Sequence, residues 1–417
     1  MTGSVRAQPV AITGMGVVTS VGASIDSFRE SLFSGAGNFG LLRRPGREGD
    51  PPFLGAELKD EGLSDFGTTK ANRLAMRSTL EGKVALHAVG QAWTDAGLGQ
   101  RGIDPARIGL VIGGPGSAFR EHTLLREHYH SKLQYLKPTY AAACWSTYLV
   151  GLISDAFGIC GEGLSVGGAS AAGTVAVVHA MRQLQCGIVD AAIAVGPLAD
   201  LSRFELQALR LAGALGSERF ADQPDLACRP FDKLSDGLVF GEGCGVVVLE
   251  RGDAGGQTRQ PHAWLAGGAL LLQGTHGTSP STATQQQVIF QTLQQAGLTA
   301  REVDYVSTHG TGTPLGDATE VETLRACGLD HAALNATKSI TGHCLTGSGT
   351  LELIATVAQM QTNRLHTTRN LEQPIDESFN WVRGEPQTCD IQQALSSSFA
   401  FGGLNAALAI CREEPSQ

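Results

Sequence analysis

Hydrophobic positions along the chain alternate between short apolar runs and longer stretches with a helical period, which predicts strands interleaved with helices. Residues 10–13 and 17–19 are apolar runs flanking Gly14 and Gly16, and predict a strand and a tight turn that uses glycine freedom. A helix is expected over 25–33. Residues 34–68 are rich in Gly, Pro, Arg and Asp with little periodicity and read as a surface excursion. An amphipathic helix follows at 79–97 and a strand at 108–112. Residues 164–187, LSVGGASAAGTVAVVHAMRQLQCG, run from a strand-like stretch through paired glycines into an Ala-rich helix, so Ser170 sits at a strand-to-helix elbow. Strands at 191–195 and 245–250 close this half.

After a Gln- and Thr-rich join at 252–285, the second half repeats the order of the first. It has a strand at 264–272, a helix at 284–296, a strand at 305–307, and helices at 317–326 and 347–361. This alternation implies a layered α/β architecture, and the repetition suggests an internal duplication. The two halves are expected to span 1–252 and 253–417.

Composition narrows the class. The 417 residues are 42 % hydrophobic and 17 % charged with 54 Gly and 16 Pro, which suits a turn-rich globular enzyme and excludes a disordered chain. The net charge of −9, with no extended basic tract, argues against nucleic acid as a partner. Nine cysteines, an odd number without a CxxC pair, argue against a disulfide framework or a zinc site and favour a reducing cytoplasm. No secretory signal pattern and no long apolar run is visible, so no membrane association is expected.

Four blocks carry candidate chemistry: S-A-A-G from Ser170, H-G-T-G-T from His309, K-S-I-T-G-H from Lys338 to His343, and S-F-A-F-G-G-L-N from Ser398 to Asn405. Each reads as a loop-like stretch after a strand. His122, His128 and His130 lie in a polar stretch and read as surface residues. With the N-terminal VAITGMGVV and the segment CRPFDKLSDGLVFGEGCGVVVLE at 228–250, the blocks resemble the β-ketoacyl-acyl-carrier-protein synthases of the thiolase superfamily over nearly the whole chain.

The resemblance implies a five-layered αβαβα fold of two duplicated halves, in a homodimer. It implies no cofactor or metal of the chain's own, the substrate being carried on the phosphopantetheine of an acyl carrier protein (ACP). Counting back from Arg182, Gly187, Asp190 and Gly196, the family's nucleophilic cysteine falls on Ser170. The catalytic histidines fall on His309 and His343, the lysine on Lys338, the buried glutamate on Glu352 and the gating phenylalanine on Phe401. Thr311, Thr313 and Phe399 are the expected substrate-binding residues beside it. Ala400 and Leu404 depart from the family's glycine and threonine in the gating loop. Lys70, Arg73 and Arg77, at helical spacing near a family docking region, are expected to contact the acidic carrier.

Serine at the elbow changes the chemistry. A thiol near pKa 8.5 forms a thiolate readily at a helix N-terminus, whereas an alcohol needs a general base, so acyl transfer and condensation should fall together. Loss of CO2 from a malonyl thioester needs only donors for the enolate oxygen, and both histidines are retained. The pattern resembles the decarboxylating synthases of polyketide β-branching cassettes, which turn malonyl-ACP into acetyl-ACP for an HMG-CoA-synthase-like enzyme. Two alternatives stay open: a non-catalytic partner of an active ketosynthase, like a chain-length factor, and an acyltransferase that uses Ser170 as its nucleophile.

Overall fold

The computed structural model describes residues 8–59, 63–114, 116, 118–216, 218–252 and 260–415. The expected junction after residue 252 falls against residues 253–259, which lie outside the described residues.

Eleven strands form one hydrogen-bonded sheet: β1 (Val10–Thr19), β2 (Ile108–Gly113), β3 (Gly163–Val166), β4 (Ala191–Gly196), β5 (Gly243–Arg251), β6 (Ala263–Leu272), β7 (Tyr305–Ser307), β8 (Ala333–Asn335), β9 (Asn380–Trp381), β10 (Gln393–Phe399) and β11 (Leu404–Cys411). Outward from the antiparallel β1–β6 contact, one side runs β1-β5-β4-β2-β3 and the other β6-β11-β10-β7-β8-β9. Position for position, the first five strands on each side pair in the same sense. The first two pairings are antiparallel and the next two parallel.

Five helices supply the other layers: α1 (Leu80–Asp95), α2 (Ala172–Gln185), α3 (Thr282–Ala296), α4 (Pro314–Ala326) and α5 (Ser348–Thr362). Residues 348–360 of α5 are all buried, and α2 is buried on most of its surface. A helix buried all round belongs between two β layers, here the two halves of the one sheet. Accordingly α2 and α5 touch each other and strands of both halves, while α1 covers β1 and β5, and α3 covers β6 and β11. The result is the thiolase-like αβαβα order.

Some local expectations are corrected. Gly14 and Gly16 make no turn, because β1 is continuous through them with only a register irregularity between Ile12 and Gly14. Their missing side chains let α1 lie against the strand: a Cβ at Gly16 would stand 1.9 Å from the Ala88 carbonyl oxygen, and one at Gly14 2.4 Å from that of Ala92. Gly16→Ala is therefore expected to destabilise the fold by about 3 kcal/mol, the upper end of overpacking costs, measured by denaturant unfolding. Residues 34–68 are not a surface excursion either. They contain the buried Phe53 and the fully buried Arg47, whose charge is matched inside the protein by Asp200, Glu242 and Glu57. The KSIT block is a short helix, Lys338–Thr341, and Ser398 to Asn405 is a hairpin between β10 and β11 rather than a free loop. His128 and His130 are exposed, but His122 is half-buried against Tyr140.

Candidate active site

The elbow forms as β3 ends. Gly168 and Ala169 have φ of +159° and +44°, and α2 starts two residues after Ser170. A non-glycine residue at positive φ is a strained position, and here the strain turns the chain sharply enough to present Ser170 at the helix N-terminus. Ser170 is half-buried and lines a cavity of about 820 Å³.

His309 lies on the loop between β7 and α4, and two carboxylates from the first turns of α4 hold that loop from behind. Glu320 accepts from the amides of His309 and Gly310 at 2.7 and 2.8 Å, and Asp317 from those of Thr311 and Gly312 at 3.1 Å each. Burial raises both acids, Asp317 to about 7, against the lowering effect of these amides. Neither acid was singled out from sequence, although acids eight and eleven residues past His309, at the start of a helix, are a readable loop-capping pattern.

Behind the imidazoles lies Lys338, itself buried. Its Nζ donates to the His309 carbonyl at 2.5 Å, to Nδ1 of His309 at 3.2 Å and to Glu352. Burial pushes the Glu352 carboxyl up to about 7, partly offset by the Lys338 ammonium. On His343, Nδ1 accepts the Leu345 amide at 3.0 Å. An Nδ1 that accepts leaves the proton on Nε2, so both rings are neutral and each carries an Nε2–H donor. Burial, and then the Lys338 charge, hold both imidazoles well below the ordinary histidine value. The two rings stand perpendicular, with centroids 5.8 Å apart, and Phe399 meets His309 edge-on at 5.7 Å.

The cavity gathers Ser170, His309, His343, Thr311, Thr313, Phe399 and Phe401, while Lys338 and Glu352 lie behind its lining. Its apolar wall includes Leu201, Leu209 and Leu238, which sequence reading did not identify. None of the nine free cysteines lines it. Lys70, Arg73 and Arg77 stand apart from it. Lys70 is paired with Asp155 at 2.5 Å, and the helix Thr69–Ala75 ends before Arg77. The expected three-residue helical cluster is therefore reduced to Arg73 and Arg77, exposed on either side of Met76, which is 83 % exposed.

A layered αβαβα fold, an elbow at a buried helix and two neutral imidazole donors behind which a Lys–Glu pair is buried define a thiolase-like acyl-thioester site. The chain belongs to the β-ketoacyl synthase family: residues 7–254 match the beta-ketoacyl synthase N-terminal domain and residues 262–372 the C-terminal domain. It is 42 % identical over 402 residues to the polyketide biosynthesis malonyl-ACP decarboxylase PksF of Bacillus subtilis (strain 168), covering 96 % of each chain. It is 31 % identical to 3-oxoacyl-[acyl-carrier-protein] synthase 2 of Synechocystis sp., covering 96 % of this chain and 97 % of that one. Among solved structures it resembles the ishigamide ketosynthase/chain length factor (TM-score 0.85, 25 % identity, 97 % and 99 % covered). It also resembles a beta-ketoacyl synthase from Burkholderia phymatum (TM-score 0.82, 27 % identity, 97 % and 100 % covered).

Proposed function

We propose that the chain decarboxylates malonyl-ACP to acetyl-ACP in polyketide β-branching and does not condense. The observation that carries this reading is a cavity with two neutral Nε2–H donors and no thiol: Ser170 stands at the elbow and no cysteine lines the walls. Likeness over the whole chain to a relative named as a malonyl-ACP decarboxylase supports it. The malonyl thioester carbonyl would sit against His309 and His343. As the bond between the carboxylate and the α-carbon breaks, its electron pair becomes the enolate, whose oxygen takes both N–H groups. CO2 leaves, and a proton from water on the α-carbon gives the acetyl thioester. Mass spectrometry of malonyl-ACP incubated with the protein should show loss of CO2. No loss above the uncatalysed rate would overturn the reading.

Neutral donors set the pH dependence. Protonating either imidazole would put an N–H on Nδ1 facing the Leu345 amide or the Lys338 ammonium, so the neutral form persists below the ordinary range. On acidification from about pH 8, kcat should show no histidine step near about 6.5. A step near 7 that disappears in Glu352→Gln belongs to that carboxylate.

Further parts of the reading concern partners. The carrier protein would dock on Arg73 and Arg77 around Met76, a basic and apolar patch suited to an acidic protein. Arg73→Glu with Arg77→Glu should raise the apparent KM for malonyl-ACP roughly tenfold and leave turnover of a small malonyl pantetheine thioester unchanged. Equal loss on both substrates would count against docking there. A homodimer would cover the free edge of β3. The acetyl-ACP product would feed an HMG-CoA-synthase-like enzyme. Nine free thiols suit a cytoplasmic setting.

A further inference from the structure

The largest fully buried side chain is not at the cavity but behind its wall. Arg47 donates through Nη2 to Asp200 at 2.9 Å and through Nη1 to Glu57 at 2.8 Å, and its Nη2 forms an ion pair with Glu242 at 2.6 Å. Its Nε donates to the Leu201 carbonyl at 3.0 Å, and its guanidinium lies 5.3 Å from the Phe240 ring centroid. Four of these partners, Asp200, Leu201, Glu242 and Phe240, belong to segments that adjoin the cavity wall or His343.

Asp200 lies between Ala199 and Leu201, both in the cavity wall. Its Oδ1 takes Arg47 and also Arg120, next to the cavity residue Phe119, while its buried Oδ2 has no partner. The two arginines therefore set the orientation of Asp200. On the other side, Glu242 follows the strand segment Phe240–Gly241, to which His343 is bridged. The His343 amide donates to the Val239 carbonyl at 2.7 Å, and the Gly241 amide returns a bond to the His343 carbonyl at 3.0 Å. A Cβ at Gly241 would meet the Thr341 carbonyl at 2.2 Å, so the two segments are in full contact and slide together if they move. Arg47 thus grips both the cavity wall and the strand on which the backbone of His343 rests. The His309 loop is held from the other side by Glu320 of α4, while the Lys338 that bonds its carbonyl lies five residues before His343 in the same segment.

Such an arrangement is expensive unless complete. A buried arginine needs its fork matched, and lysine, a point charge with three donors, cannot reach the same set. We infer that Arg47 is a positioning residue that sets where the His343 donor stands relative to the cavity wall, with His309, anchored also by Glu320, less affected.

The inference rests on the decarboxylase reading for its kinetic consequence but not for its structural one, so both are measured. Arg47→Lys should lower kcat for malonyl-ACP by about 10- to 100-fold with KM within about twofold, as for a misplaced rather than missing group. In a His343→Ala background the same substitution should change kcat by less than about twofold, because its target is gone. In labelled-histidine NMR of the full chain, the imidazole nitrogens of His343 should shift in Arg47→Lys, and by more than those of His309. Equal factors in both backgrounds, or unmoved His343 resonances, would overturn the inference. If the wild-type protein releases no CO2, the decarboxylase reading fails and the NMR arm still decides the place of Arg47. If Arg47→Lys does not fold, Glu242→Gln, which keeps an acceptor for the Leu58 amide and weakens the hold of both Arg47 and Arg44 on the strand, carries both arms.

Discussion

His343→Ala and His309→Ala are each expected to lower kcat for malonyl-ACP decarboxylation by about 100- to 1000-fold, the usual cost of one lost oxyanion donor. The effect is large because no cation in the cavity wall can replace the lost bond. No lysine or arginine is among its lining residues, so beyond the two imidazoles the donors open to the enolate charge are neutral, the hydroxyls of Ser170, Thr311 and Thr313 among them. The losses should not multiply, since an enolate that has lost one donor is already poorly held and the remaining ring cannot be fully used. CO2 release by both variants, with folding checked by unfolding midpoints, measures the effect. Rates within tenfold of the wild type in both would refute the donor mechanism while leaving the fold assignment intact.

Ser170→Cys should give the site a thiol that accepts acyl groups. The substitution changes one atom, and the new sulfur would stand at the N-terminus of α2, where the helix field favours a thiolate. Acetyl-ACP or an alkylating reagent should then label residue 170 nearly completely, against none for the wild type, as read by peptide mass spectrometry. Condensation should remain slow. Ala400 and Leu404 pack with Ala171 and Val175 behind the elbow, and the hairpin turn is bonded through Gly402 to Gly277 and through Gly403 to Gln273. A gate fixed in this way resists the movement needed to exchange one acyl thioester for another. If cysteine at 170 stays unlabelled by both reagents in folded protein, residue 170 does not face the substrate channel and the reading built on it fails.

Much of this was legible in the chain, for particular reasons. The strand Tyr305–Ser307 and the helices from Thr282 and Ser348 follow from apolar pattern alone, because a buried parallel strand, a helix buried on one face and a helix buried all round each restrict the choice of residue. Ser170 could be placed at an elbow because glycine pairs between a strand and an Ala-rich helix have few other uses. What stayed hidden depended on distant partners. The glycines of β1 read as a turn because the sequence does not show α1 pressing against them. Residues 34–68 read as surface because a buried arginine looks like an exposed one until Asp200 and Glu242, more than 150 positions away, close around it. Lys70 likewise looked free until Asp155 was brought beside it.

A catalytic cavity without sulfur has a chemical consequence for the cell. A reactive thiolate is open to peroxide and climbs from sulfenic to sulfonic acid, the last steps irreversible, whereas a serine hydroxyl offers the oxidant nothing. In this chain the exposed thiols are Cys144, Cys160 and Cys186, all outside the cavity. Oxidative stress would therefore silence thiol-dependent condensing relatives while the Ser170 site kept working, and the balance between chain extension and CO2 release would tip toward release.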